Sequence, residues 1–286
     1  MSVPHEAVRA LTLEQVKLAI TSQMTTDVME LSLVGDFEMA EAERLVLQYL
    51  ATAAALEAAS AAVTWGAEAD VDVPLQTGTV PSRHIDVYLQ DSDDRAVAYV
   101  AGTAPNRWGV LRGGKTVRAM MRELDPASDR AAAPRRRHPL FAAVALALLK
   151  EVINRRLFST VREQKRLTYD ANFHLTSFER LRGSWYLVTV TANPANAQAA
   201  LAACQETLRD MAGSLPITYD NVESAKRVLI NRHENDLRTN QYWADLMTGL
   251  QAECVPSKDA SCIRDYAEVV ESVTAADLQL LLRALG

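Results

Sequence analysis

The sequence predicts an α+β fold, a mainly antiparallel sheet covered on one face by helices. Strand-like segments come in pairs joined by short polar turns, so neighbours pair antiparallel. Amphipathic helical stretches separate those pairs, in the order β, α, ββ, α, ββ, α, α. Of the 286 residues, 49% are apolar and 23% charged, which is enough apolar surface for a substantial core.

The elements follow in order. Residues 12 to 20 carry Thr12 as an N-cap and Leu13, Val16 and Ile20 at helical spacing. "DVMELSLVGDF", residues 27 to 37, alternates like a half-buried strand and stops at Gly35–Asp36. An Ala/Leu-rich helix is expected from Glu38 to about Ala62, then a long connection over 65 to 82 holding Gly, Pro and Thr. "RHIDVYLQ" and "RAVAYVAG" read as a hairpin across the polar turn "DSDD". Residues 125 to 139, "DPASDRAAAPRRRHP", read as a solvated loop, with Arg135, Arg136 and Arg137 either surface charges or a contact for an acidic partner.

His138 to Glu163 should form a long helix burying Phe141, Val144, Ala145, Leu148 and Val152. A second strand pair is expected over 168–178 and 184–192, with Gly183 in its turn. Asn193–Pro194 opens a helix that Gly213 ends. The longest helix should start at Thr218 and run to about residue 250, followed by helices near 259–271 and 275–285, the last capped by Thr274. As domains, residues 1–25 read as a helical lead-in from a preceding domain and 26–286 as one α+β domain.

Charge and composition narrow the function. A net charge of −6 gives no support to nucleic-acid or anionic-membrane binding. Three dispersed cysteines, Cys204, Cys254 and Cys262, have neither metal-ligand spacing nor an even count, which suits a soluble protein of a reducing compartment. The longest apolar run, 139 to 149, is too short to cross a bilayer, and the first residues show no secretory signal.

Several chemistries lack their residues. None of the five histidines sits in H-E-x-x-H or H-x-x-E-H, so a helix-borne zinc site within this chain is not expected. "HENDL" at His233 has no second ligand. "LRGGKTVR" echoes a phosphate loop but lacks the first glycine at the required distance. No nucleophile elbow is present, and with neither nucleophile nor metal ligands a self-sufficient hydrolase is not expected.

One stretch stands out, "RLFSTVREQKRLTYD", where an apolar helix runs into a strand. Arg162 and Tyr169 flank the polar connection. A planar guanidinium can hold a carbonyl with two hydrogen bonds, and a phenol can donate to the same oxygen. Two donors on one carbonyl stabilise the charge that develops during attack by water. The plainer alternative is a helix-end arginine favoured by the dipole, beside a tyrosine packed on a sheet edge.

That stretch resembles the C-terminal, non-zinc half of the pitrilysin/insulinase family of zinc metallopeptidases, where an arginine and a tyrosine at this spacing face the zinc across a chamber and contact substrate. "LSLVGDFEMAEAERLVLQYL" and "PITYDNVESAKRVLI" are similar to further stretches of that half. The sequence departs at Arg155–Arg156, where Ser–Arg is frequent, and at Arg166 and Thr168, where small residues, often glycine, are common. The likeness is strongest to members that remove transit peptides from imported chloroplast precursors.

The resemblance implies Arg162 and Tyr169 as substrate-binding residues, no catalytic residue and no metal ligand in this chain, and zinc in a catalytic half that is the same polypeptide or a partner subunit. It also implies an extended polypeptide as substrate and the chloroplast stroma as location. The alternative from another class is an inactive scaffold or peptide-binding module.

Overall fold

The computed structural model describes residues 5–21, 31–50, 95–176, 178, 181–248 and 261–285. They fall into two compact units, Met1–Trp65 with Leu237–Gln251, and Gly66–Asp236 with Ala252–Gly286.

The first unit begins with helices α1 (His5–Arg9), α2 (Leu13–Thr21) and α3 (Met39–Tyr49). Thr12 caps α2 as expected: its hydroxyl accepts from the Gln15 amide while the Gln15 side chain accepts from the Thr12 amide, 3.3 and 2.9 Å. The strand expected over 27–37 has no regular counterpart in its described part, residues 31–37. The expected helix beyond residue 50, the connection over 65–82 and the first strand of the first hairpin lie outside the described residues.

The second unit holds the sheet. Strand β1 (Ala96–Ala104) lies where the second strand of the first hairpin was expected, and among the described residues it pairs with β3. Helices α4 (Val117–Leu124), α5 (Pro126–Arg136) and α6 (Phe141–Leu157) follow, then a π-helical turn over Phe158–Gln164 and strands β2 (Asp170–Leu175) and β3 (Ser184–Ala192). Next come α7 (Pro194–Ala212) and α8 (Tyr219–Asp236); then α9 (Asn240–Met247), which belongs to the first unit; and finally α10 (Ser261–Arg264), α11 (Tyr266–Ser272) and α12 (Ala275–Leu285).

Among the described residues the sheet has three strands in the order β1-β3-β2, all antiparallel, with Val100 opposite Val188 and Phe173 opposite Val188. Alternation sorts its two faces. Ala171 and Phe173 on β2 and Val188, Val190 and Ala192 on β3 are buried, whereas Val97 and Tyr99 on β1 are exposed. Helices α6 and α7 cover the buried face, and the core runs through Leu148, Leu149, Ile153 and Leu157 of α6. Tyr186 stacks on Phe173 at 5.5 Å within this layer. A Cβ at Gly102 would collide with the Tyr186 ring, so β1 needs glycine there for the close approach.

Further expectations require correction. The solvated loop over 125–139 is mostly helix α5, because its arginines have partners that a local reading does not see. Arg136 and Asp277 are both fully buried and bonded at 2.8 Å, and Arg135 joins the same carboxylate at 2.9 Å. Two of the three arginines are thereby spent inside the protein. The single helix from Thr218 to residue 250 is two, because the Thr239 hydroxyl accepts from the Tyr242 amide and starts α9 as a new helix. The helix expected over 138–163 begins at Phe141, and its last turn is wound as π rather than α.

The terminal helix keeps its expected cap. Thr274 and Asp277 form a reciprocal box, the Thr274 hydroxyl accepting from the Asp277 amide and the Asp277 carboxylate from the Thr274 amide. Asp277 thus serves both the cap and the buried arginines.

Candidate functional site

Helix α6 leads directly into the site. Its apolar face, ending in Leu157, is fully buried, and Val161 extends that buried stripe into the π-turn. The wider winding shows in the Lys165 amide, which donates to the Thr160 carbonyl five residues back at 3.0 Å. The turn closes when the Leu167 amide reaches the Val161 carbonyl at 3.2 Å. That closure puts Arg166 in the left-handed region, φ 53°, where L side chains cost about 1–2 kcal/mol. A glycine at this position would adopt that φ without the steric cost.

Side chains fasten the turn to its surroundings. Arg156 donates to the Asn221 side chain of α8 at 3.1 Å, and Lys165 pairs with Glu206 of α7 at 2.6 Å. The hydrogen bond from Lys165 lowers the Glu206 pKa below the ordinary carboxylate value.

Asn154 on α6 makes the tightest link. Its amide oxygen accepts from the Phe173 N–H at 2.6 Å, and its NH2 donates to the Phe173 carbonyl at 3.1 Å. The carboxamide imitates a strand residue and closes the outer edge of β2 at that point.

Tyr169 lies where β2 begins. Its amide donates to the Thr191 carbonyl at 3.0 Å, although the register pairs Thr191 with Asp170. Two residues therefore meet one, as in a bulge, and such irregularities re-aim side chains. Thr168 makes room for this, its hydroxyl lying 2.6 Å from the same Thr191 oxygen and accepting from the Asp170 amide. The in-and-out pattern of Ala171 and Phe173 would turn Tyr169 inward, yet it is 64% exposed.

Arg162 projects from the π-turn into solvent. Its guanidinium carbon lies 4.8 Å from the centre of the Phe158 ring, itself 43% exposed. Neither the Arg162 guanidinium nor the Tyr169 hydroxyl has a hydrogen bond or ion pair among the described residues. The two residues singled out from sequence thus sit at the two ends of one turn, with their polar groups unspent. Sequence reasoning missed Asn154 and Phe158. The spacing of Phe158, four residues before Arg162 on a helical segment, was the available signal.

Other candidates carry less chemistry. "LRGGKTVR" forms a tight hairpin with Gly113 and Gly114 at φ 80 and 83°; Lys115 pairs with Glu123 at 2.6 Å and Thr116 caps α4. His233 stacks on Tyr266 at 4.0 Å, and burial lowers its pKa. Cys204 is fully buried, which pushes its thiol up to about 11, so it is an inert core residue. A groove of about 570 Å³ opens against Val100, Phe173, Tyr186 and Leu282, but no carboxylate, histidine or cysteine lines it. Among the described residues no group of three or more His, Cys, Asp or Glu could hold a metal ion, and no helix is long and apolar enough to cross a membrane.

Residues 10–229 match the family described as the peptidase M16 inactive domain. The chain is 39% identical over 293 residues to the chloroplastic stromal processing peptidase of Pisum sativum, covering 96% of this chain and 22% of that protein. For the Arabidopsis thaliana counterpart the identity is 37% over 295 residues, covering 98% and 23%. The chain therefore spans less than a quarter of the length of these relatives.

Two solved structures share the fold. A protease from Helicobacter pylori superposes with a TM-score of 0.64 at 14% identity, over 97% of this chain and 57% of that one. A peptidase M16 inactive domain from Pseudomonas fluorescens gives 0.59 at 17%, over 98% and 55%. With a family match across most of its length and relatives above one-third identity, the chain belongs to the peptidase M16 inactive-domain family.

Proposed function

We propose that this chain is the non-catalytic, substrate-binding half of a zinc metalloendopeptidase that removes transit peptides from imported precursors in the chloroplast stroma. The zinc-bearing half, in the same polypeptide or a partner subunit, would carry the metal, because the described residues here offer no ligand set that fits one. The family match and the names of the relatives support the class of enzyme. The net charge of −6 fits substrates that are basic and poor in Asp and Glu.

The observation that carries this reading is the state of Arg162 and Tyr169. Here a buried stripe, an ion pair to α7 and the Asn154 clamp hold the backbone, while the guanidinium and the phenol contribute nothing to that scaffolding. They are free to donate to the carbonyl of the bond to be cut and to stabilise its growing negative charge. The closed edge of β2 at Phe173 means that an extended substrate does not add to the sheet at that residue.

In the complete enzyme, Arg162→Ala and Tyr169→Phe should each lower kcat for cleavage of a transit-peptide precursor by about 100-fold or more, since one such donor stabilises the transition state by about 2.7–4 kcal/mol. Folding should survive, because both side chains are exposed. Unchanged kinetics in both variants would leave the chain as a scaffold without a part in cleavage.

A further inference from the structure

We infer that Phe158 is a positioning residue for Arg162, an inference that rests on the substrate-binding reading above. The Arg162 guanidinium carbon is 4.8 Å from the centroid of the Phe158 ring, which lies four residues earlier on the same wound turn. An aromatic ring attracts a cation to its face, where the quadrupole is negative. Guanidinium donors point outward in the plane of the group, so a contact through its face leaves them available.

This arrangement solves a specific difficulty. A long exposed arginine has many rotamers, and ordering it on the carbonyl as negative charge develops there costs conformational entropy. An ion pair would order it too, but would use the very donors that the carbonyl needs. The cation–π contact with Phe158 restricts the side chain without consuming them. Phe158 is 43% exposed while Leu157 and Val161 are fully buried, so its ring lies at the surface, where the Arg162 side chain can reach it.

The proposal distinguishes Phe158 from a residue that touches substrate itself. If it acts through Arg162, its effect disappears when Arg162 is absent. The test is a double-mutant cycle in the complete enzyme, measured as kcat and KM on a transit-peptide precursor. Phe158→Leu should lower kcat roughly two- to fivefold with KM little changed, the size expected of an exposed cation–π contact. Phe158→Tyr, which keeps the ring face, should retain wild-type kcat. In an Arg162→Ala background Phe158→Leu should have no further effect, and thermal unfolding of the Leu variant should match the wild type.

An equal loss from Phe158→Leu with and without Arg162 would overturn the inference while leaving the substrate-binding reading intact. An unchanged kcat in Phe158→Leu would do the same. If Arg162→Ala itself is silent, the substrate-binding reading fails and this inference falls with it.

Discussion

Two groups of arginines in this chain look alike in sequence and have opposite fates. Arg135 and Arg136 sit in a run of charge that reads as a solvated surface, yet they converge on Asp277, which like Arg136 is fully buried. Arg162 sits on the exposed turn between α6 and β2 with its donors unspent. One set of guanidinium groups fastens α5 to the cap of α12, and the other is held outward by a scaffold that does not need it. Function is available only to the second, because a donor already paired in a low-dielectric interior cannot be lent to a substrate.

The largest expected effect breaks the first member of this comparison. Asp277→Ala leaves the Arg136 cation buried without its partner and removes the reciprocal cap of Thr274, so stability should fall by about 3–5 kcal/mol in chemical denaturation. Arg162→Ala, measured in the same way, should stay within about 0.5 kcal/mol of wild type. Equal losses in the two variants would erase the distinction.

Next is Arg166, whose left-handed φ of 53° is the strain stored in the exposed turn. Replacing it with glycine should raise stability by roughly 0.5–1 kcal/mol, the steric relief being partly offset by the freer unfolded chain. A drop on Arg166→Gly would show that its side chain makes a contact worth more than the strain.

A smaller effect depends on pH. Burial pushes the Asp277 carboxyl up, but hydrogen bonds from Thr274 and Arg136 and the charge of Arg135 outweigh it and hold the pKa below 3.8. The Arg264 hydrogen bond holds Asp265 down at about 2, from 3.8. Both groups have folded values below their unfolded ones, so the stability they contribute is present above about pH 4 and lost as pH falls toward 2. Asp265→Asn should flatten the stability profile in that window relative to wild type, as followed by denaturation at a series of pH values.

Much of this was legible in the sequence, and the reason is periodicity. The apolar stripe of α6, the alternation of β3 and the caps Thr12, Asn193 and Thr274 all depend on residues within one or two turns of each other. Misreadings came where a distant partner overruled local character. Helix α5, with Pro134 inside it, looked like a loop until Asp277, more than 140 residues away, took up its arginines. The long helix after Thr218 divides because Thr239 competes as a cap, a local signal hidden inside a helical pattern.

The candidate site divides along the same line. Residue types and spacing left Arg162 and Tyr169 open to two readings, and it was the family resemblance of the surrounding stretch that singled them out. The sequence by itself also determined the pairing of β2 with β3, the helices α6 and α7 that flank that pair, and the lack of a helix-borne zinc motif, since these follow from short-range pattern. Only the tertiary structure decided that Arg162 is unspent and Arg136 is spent, that the turn is wound as π, and that Asn154 closes the edge of β2. Each of those depends on which groups meet across the fold, and a hydrogen-bond donor has no fixed destination until its competitors are in place.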